Sequence, residues 1–295
     1  MDKVLADKKA ICLFVLPAFL LFAGIILLPI FVSGYYSTLQ WDGIGKGIFI
    51  GLRNYVDLFQ SNPDGFHQSV GNAFVLAGLS VFVQLPLALF FALVLAKGVK
   101  GENFYRTVYF IPVIISTVAI GQLWMKIYHP SYGLLNSLLT WVGLTNLTRE
   151  WLGRTDNALW SALIPVVWQY IGYHMLLMYT AAKSVPTEIY EAALIDGASA
   201  TATAFKVTIP LIMPTLKVCV TFAVIGSLRS FDLIYILTNG GPVHATEMPS
   251  TVMFNAIFQK YMYGYGSAIS VFIILACLIL TIVIQKGFKN RTNLD

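Results

Sequence analysis

Trp168, Gln169, Tyr170 and Tyr173 stand together in one apolar run of the chain, and Ser227 and Ser230 stand three residues apart in another. Aromatic faces stack on the apolar faces of ring solutes while amides and hydroxyls match polar groups, so this set suits reversible binding of a hydroxyl-rich ligand. Its structural alternative is helix packing with interhelical hydrogen bonds. Arg229 and Asp232 bring opposite charges into the same apolar run as the serines. Each alone would cost about 2.5–3.5 kcal/mol at a bilayer centre, whereas three residues apart on a helix they can face and neutralise one another. They read either as a gate or cavity wall or, the favoured reading, as an intramembrane ion pair holding a helix against its neighbours. A third group, Glu191, Ala192, Ala193, Asp196 and Gly197, sets two acids among small residues, where a partner's surface could approach the backbone and offer a basic side chain.

Bond-making chemistry is poorly supplied. Cys12, Cys219 and Cys277 lie in or beside apolar runs without pairing or metal-ligand spacing and are expected to pack structurally. His67, His129 and His244 are solitary, so no metal site is expected, and His174 is kept as a candidate cavity hydrogen-bonder. No nucleophile and base converge and no G-x-x-x-x-G-K-[ST] phosphate loop occurs, so neither catalysis nor ATP binding is expected of these residues.

The elements that must position these groups follow from composition. The chain is 57% hydrophobic and 11% charged, against about 25% charged in a soluble domain. Six runs, 10–33, 73–96, 110–128, 159–179, 218–237 and 268–284, have the roughly 17–25 residues that cross a hydrocarbon core. Lipid cannot satisfy backbone polar groups, so these runs are expected to be helices of one all-α membrane domain covering 1–295. The first run exceeds a signal-peptide core and no small-residue cleavage site follows, so it is expected to remain as an anchor. Lys and Arg gather at the N-terminus (Lys3, Lys8, Lys9), in the second loop (Lys97, Lys100, Arg106), in the fourth (Lys183, Lys206) and at the C-terminus (Lys286, Lys289, Arg291). They are sparser in the other loops, so both termini and the loop carrying Glu191 are expected to be cytoplasmic. Those flanks account for the net charge of +5 without a nucleic-acid partner.

The Glu191 loop has its own local logic. Pro186 and Thr187 suit a helix start, 187–195 is rich in helix formers, and Gly197 permits a turn. A second short helix is expected to reach about Lys206, with Pro210 and Pro214 leading into the fifth run. A short helix dropped into a partner's groove is a recognised docking mode. A solvated connector or a membrane-surface helix is the alternative, but a surface helix carries Lys and Arg where this first helix is acidic.

The pattern E-A-A, a Gly six positions after the Glu, nine residues, and an apolar-x-apolar-Pro ending is here Glu191, Ala192, Ala193, Gly197, Val207, Ile209 and Pro210. It resembles the signature loop of permease subunits of binding-protein-dependent ABC importers. FVLPAFLLF (14–22), GLRNYVDLF (51–59), YRTVYFIPVI (105–114), YGLLN (132–136) and FDLIYILTNGGP (231–242) are similar to the first-permease type of the maltose, multiple-sugar and glycerol-phosphate uptake branch. Similar permeases carry bulky Trp and Gln shortly after the loop glycine, where this chain has Thr201 and Ala202.

The resemblance implies six transmembrane helices of the type I importer permease fold, with a cytoplasmic coupling loop at about 186–214, in a bacterial or archaeal cell (inner) membrane. It implies half of a sugar pathway, completed by a second homologous permease and fed by an extracytoplasmic sugar-binding protein. Two cytoplasmic ATPase subunits would bind the ATP and Mg, leaving no cofactor in this chain. Glu191, Ala192, Ala193, Asp196 and Gly197 would couple to them, and Trp168, Gln169, Tyr170, Tyr173, Ser227 and Ser230 stand at positions that line the sugar cavity in similar permeases. The alternative function is an ion-coupled secondary transporter of small polar solutes, which should show repeated halves and intramembrane acids. No repeat is visible, and Asp232 is the sole acid within the six runs.

Overall fold

The computed structural model describes residues 8–61 and 64–288, with side chains from residue 13 onward. Lys3, Lys289 and Arg291 and the side chains of Lys8, Lys9 and Cys12 lie outside the described residues. In chain order the elements are α1 (Lys8–Phe22), α2 (Leu28–Tyr36), the strands β1 (Leu39–Gln40) and β2 (Ile48–Phe49), α3 (Arg53–Val56), α4 (Phe66–Leu79), α5 (Leu85–Ala96), α6 (Glu102–Ile114), α7 (Thr117–Ile127) and α8 (Leu134–Trp141). They continue as α9 (Ala158–Lys183), α10 (Thr187–Ile195), α11 (Ala200–Thr203), α12 (Ile209–Leu211), α13 (Met213–Leu228), α14 (Asp232–Thr238), α15 (Pro249–Phe254) and α16 (Tyr263–Gly287).

Prolines shape several of these helices. Widened turns with i→i+5 bonds occupy Ala23–Leu27, Ser80–Gln84 and Ala204–Thr208, and each is followed two residues later by Pro29, Pro86 or Pro210. Proline has no N–H and its ring clashes with the carbonyl four residues back, so the preceding turn widens and the helix carries on.

Among the described residues, four helical stretches are long and apolar enough to cross a membrane: Leu13–Tyr36, Phe66–Ala96, Met213–Thr238 and Tyr263–Gly287. The pair α6 and α7 makes a fifth if it is counted as one span, so length and composition give four or five where the sequence suggested six. The single helix expected over 110–128 is bent by 94° between α6 and α7. Ile115 and Ser116 are extended there, with ψ of 140° and 129°. The β-branched Ile114, Ile115, Thr117 and Val118 disfavour helix at this point, and Ser116 is a residue type that suits a helix start. The expected fourth span is present as α9, whose 26 residues reach about 39 Å at about 1.5 Å each. It falls outside the apolar set because Ser161, Gln169 and His174 interrupt it, and all three are buried by protein, the setting in which a membrane helix tolerates polar groups.

The chain divides into two compact units. In the first, Met1–Pro63 with Met253–Ile274, β1 and β2 pair antiparallel with Leu39 opposite Phe49. Buried Asn54 fixes the approach to this hairpin, its Nδ2 donating to the carbonyls of Ser37 and Leu39, each at 2.8 Å. Gly264 lies so close to the Leu39 carbonyl that any Cβ would collide with it.

The second unit, Asp64–Val252 with Leu275–Asp295, is organised around α9, which packs along α5 and α6 and also meets α13 and α14. α7 packs on α14, and α4 on α13. One buried cluster joins Leu76, Ile120, Leu163, Ile234 and Met248, and a second joins Leu85, Ala88, Met175, Met178 and Cys219. Small residues set the close crossings, as is usual between membrane helices. A Cβ on Gly172 of α9 would run into the Tyr109 carbonyl of α6, and one on Gly121 of α7 into the Ile236 side chain of α14.

Candidate functional site

A cavity of about 400 Å³ opens in the second unit where α13 gives way to α14. The helix stops at Leu228, Arg229 takes the cap position, Phe231 leaves helical geometry at φ −140° and ψ −68°, and α14 restarts at Asp232. Non-helical backbone at membrane depth is tolerated where protein buries it or a cavity faces it. Across from this break, the helical period gathers Val166, Gln169, Tyr170, Tyr173 and His174 onto one side of α9, and all five line the cavity with Ser227 and Ser230. Trp168 does not join the other five expected contacts. It is rotated about 100° from Gln169, away from Tyr170, and meets Trp124 edge-on at 5.8 Å.

Two polar atoms on this wall have no hydrogen-bond partner among the described residues. Gln169 and His174 are each 3% exposed, and Gln169 Oε1 and His174 Nδ1 have no hydrogen-bond partner. Ser227 is satisfied locally, its hydroxyl donating to the Ala223 carbonyl at 2.8 Å. Tyr173 stands edge-on to His174 at 5.2 Å and tilts toward Phe222 at 6.5 Å, which makes one wall aromatic. Ser80, Gln84 and Thr117 also line the cavity and escaped the sequence reading. Ser80 and Gln84 did carry a signal, two polar residues four apart in a membrane-length apolar run. Thr117 carried none, because the bend between α6 and α7 is what places it.

Arg229 and Asp232 both line the cavity, but no ion pair joins them among the described residues. The expected pairing assumed one continuous helix. The break at 229–231 takes a three-residue spacing off the helical period, and the two charges face the cavity separately.

The second candidate site is the loop between α9 and α13. α10 begins after Pro186, Gly197 turns the chain at φ 75°, and the Ser199 hydroxyl caps α11 by accepting from the Ala202 N–H at 3.2 Å. A Cβ on Gly197 would meet nothing within 4 Å, so its positive φ, and not crowding, calls for glycine. Glu191, Ala192 and Asp196 are exposed and Ala193 is partly so. Beside them Leu194, Ile195 and Phe205 are 74%, 86% and 66% exposed, an apolar tip that attention to acids and small residues passed over. Just before α10, the end of α9 is tied to α6. Lys183 pairs with Glu102 at 3.3 Å, the Tyr179 hydroxyl donates to Glu102, and the Arg106 guanidinium lies 4.5 Å from the Tyr179 ring centre.

Beyond α14 the chain makes a tight loop with Asn239, Val243 and His244 all at positive φ. Asn72 of α4 anchors it by donating to the carbonyls of Ala245 and Glu247, each at 2.9 Å. The Glu247 side chain is buried beneath the loop, accepts from the Thr251 hydroxyl and lies 3.4 Å from His244 Nδ1. Burial outweighs those contacts and pushes its carboxyl above the ordinary value of 4.5.

Residues 84–293 match the family described as binding-protein-dependent transport system inner membrane component. The chain is 38% identical to the probable ABC transporter permease protein YurN of Bacillus subtilis, over 94% of this chain and 95% of that one. It is 34% identical to the trehalose/maltose transport system permease protein MalF of Thermococcus litoralis, over 97% and 95%. In fold it is similar to a chain of a bacterial alginate ABC transporter solved in complex with an alginate pentasaccharide-bound periplasmic protein, with a TM-score of 0.83 at 22% identity, covering 99% of this chain and 98% of that one. With a match over most of its length and relatives aligned nearly end to end, the chain belongs to the inner membrane components of binding-protein-dependent transport systems.

Proposed function

We propose that this chain is the membrane-spanning subunit of an ATP-driven sugar importer, forming half of the translocation pathway. The observation that carries the proposal is the cavity at the break between α13 and α14, where Gln169, Tyr170, Tyr173, Ser227 and Ser230 offer aromatic faces, an amide and hydroxyls around about 400 Å³. That chemistry matches a sugar's alternating apolar and hydroxylated surfaces, and the name of the Thermococcus relative, a trehalose/maltose permease, supports the same class.

A second homologous permease completes the pathway, and an extracytoplasmic binding protein delivers the sugar. Two cytoplasmic ATPases, which hold the ATP and Mg, grip α10 and its turn. Glu191 and Asp196 offer the acids, Ala192, Ala193 and Gly197 let the partner's backbone approach, and Leu194, Ile195 and Phe205 fill an apolar groove. In this reading the chain is one transport domain over 1–295 with six spans, α9 among them, and both termini in the cytoplasm. The test is ATP hydrolysis by the complex purified with its neighbouring subunits, with Glu191→Ala and Gly197→Asp against wild type. The expected result is stimulation by loaded binding protein in the wild type and loss of assembly or stimulation in the variants. Transport without any ATPase, or normal behaviour of both variants, would sink the proposal.

A further inference from the structure

The loop between α7 and α9 carries an apolar surface turned away from the rest of the chain. In α8 and its cap the helical period puts Leu134, Leu138, Trp141 and Val142 within about 100° of rotation, and all four are exposed, Trp141 by 85%. Asn136 lies about 170° round the helix from the middle of that stripe. It is buried, its Nδ2 donating to the carbonyls of Pro130 and Arg149 at 3.0 and 3.1 Å and its Oδ1 accepting from the Trp151 indole N–H at 2.8 Å. The Trp151 ring in turn stacks on Tyr128, just past the end of α7, with ring centres 6.1 Å apart. α8 is therefore mounted by its back on the end of α7 and shows its stripe outward.

The residues around the stripe say what it faces. From Pro130 to Thr148 there is no Asp, Glu, Lys or Arg, and Leu144 and Leu147 add further exposed side chains beyond the helix. A surface kept in water breaks up apolar patches of this kind, and a protein docking surface rings its apolar centre with polar and charged groups. A surface kept in lipid needs neither. Trp141 and Tyr132, both exposed, are the residue types that collect at headgroup level. Trp160 and Ile164 continue an exposed apolar exterior down the first turns of α9. Helices that must reach a bilayer on their own carry Lys and Arg for anionic headgroups, but α8 is already held there by the membrane helices on either side of it.

We propose that α8 is an interfacial anchor, lying along the bilayer surface with Leu134, Leu138, Trp141 and Val142 inserted among the acyl chains just below the headgroups. Through Asn136 and Trp151 it fixes the depth of the end of α7. Its partner is the lipid surface itself, zwitterionic or anionic alike, on whichever side of the membrane the loop lies.

The experiment places the complete complex in phosphatidylcholine liposomes and reads depth from nitroxide labels on Leu134→Cys, Leu138→Cys and Val142→Cys. Thr155→Cys, exposed in the same loop, is the aqueous reference, and the signal of the unsubstituted complex is subtracted for the native cysteines. Each stripe label is expected to meet oxygen, relative to a water-soluble nickel chelate, severalfold more than the Thr155 label does, at a depth of about 5–10 Å into the headgroup/acyl boundary. Adding phosphatidylglycerol should leave that ratio unchanged, because no charge on α8 takes part; insertion seen only with the anionic lipid contradicts the proposal. Nickel access at the stripe equal to that at Thr155 overturns it. So do stripe labels that stay open to nickel until the loaded binding protein is added, which would make the surface a docking site for that protein. Labels closed to oxygen and nickel alike would assign the stripe to a second subunit and equally remove the anchor. A second reading uses no cysteine variant: bromine on the lipid acyl chains should quench the tryptophan emission of the wild type more than that of Trp141→Phe. Equal quenching overturns the proposal even where a labelled variant fails to assemble. Neither reading requires uptake or ATP hydrolysis, so failure of the importer reading would leave the anchor standing.

Discussion

Gly172→Ala is the substitution through which the placement of the cavity can be tested. A Cβ there would overlap the Tyr109 carbonyl oxygen and stand 2.6 Å from its carbon and 3.1 Å from Phe110 Cα. All three atoms are backbone of α6, so no rotamer change relieves the contact, and α9 and α6 must part by about 1.5 Å to reach ordinary van der Waals separation. Overpacking of this kind costs about 1–3 kcal/mol, while alanine in a helix gains about 1 kcal/mol over glycine. Gly71→Ala, in the middle of α4, isolates the second effect, because a Cβ there meets nothing within 4 Å. The difference between the two variants cancels the propensity gain and leaves the crowding, about 1–3 kcal/mol. Thermal unfolding of both proteins in the same detergent reads that difference, with Gly172→Ala unfolding several degrees below Gly71→Ala and losing uptake, since α9 carries five cavity residues. A Gly172→Ala melting temperature at or above that of Gly71→Ala would refute the close crossing of α9 on α6.

Gly240→Ala combines a positive φ of 83° with a Cβ that would strike the Glu247 carboxylate. It should open the 239–251 loop by about 2 kcal/mol or more, measured as faster amide hydrogen exchange there. Glu247 itself makes the same loop pH-dependent: with its folded value raised above 4.5, the folded loop holds a proton that the unfolded chain has released. Stability is then greatest below the ordinary value and falls as pH rises through the raised one. Glu247→Gln should flatten that fall, and an undiminished slope in hydrogen exchange against pH would count against it. Leu194→Ser with Ile195→Ser removes exposed side chains and should change melting by no more than about 0.5 kcal/mol, while ATPase subunits no longer co-purify. A retained ATPase would show that the apolar tip is not the docking surface.

The helical class, the turn at Gly197 and most of the cavity wall could be read from residue types. Gly197 permits a positive φ, Pro186 starts a helix, and Gln169, Tyr170, Tyr173, Ser227 and Ser230 are polar or aromatic exceptions in apolar runs. Breaks in the helices were the hidden part. Neither Ile115–Ser116 nor 229–231 contains glycine or proline, the usual punctuation, so both runs read as continuous and the Arg229–Asp232 pair was drawn on a helix that stops between them. The run 159–179 is long enough to read as a span and is present as α9, but more than half of its residues are buried by protein, and burial of that kind leaves no mark in a local hydropathy pattern. Trp168 was misplaced for a simpler reason: adjacency in sequence is about 100° of rotation on a helix.

Both broken helices border the cavity, and that placement has a physical logic. Where α13 ends, Arg229 still bonds back to Ile225 and Ser230 to Ser227, but Phe231 is off the helix. Backbone groups released there need protein or a hydrated space beside them. The cavity, with Gln84, Thr117, Gln169 and Ser230 on its wall, supplies that space beside the break. The continuations α7 and α14 pack together, Gly121 lying close against Ile236, while the preceding halves α6 and α13 both meet α9. Thr117 enters the wall from the start of α7 and Asp232 from the start of α14, so each break aims a polar residue inward from the first turn of a new helix. The chemistry of the cavity is therefore set as much by where its helices stop as by what α9 presents.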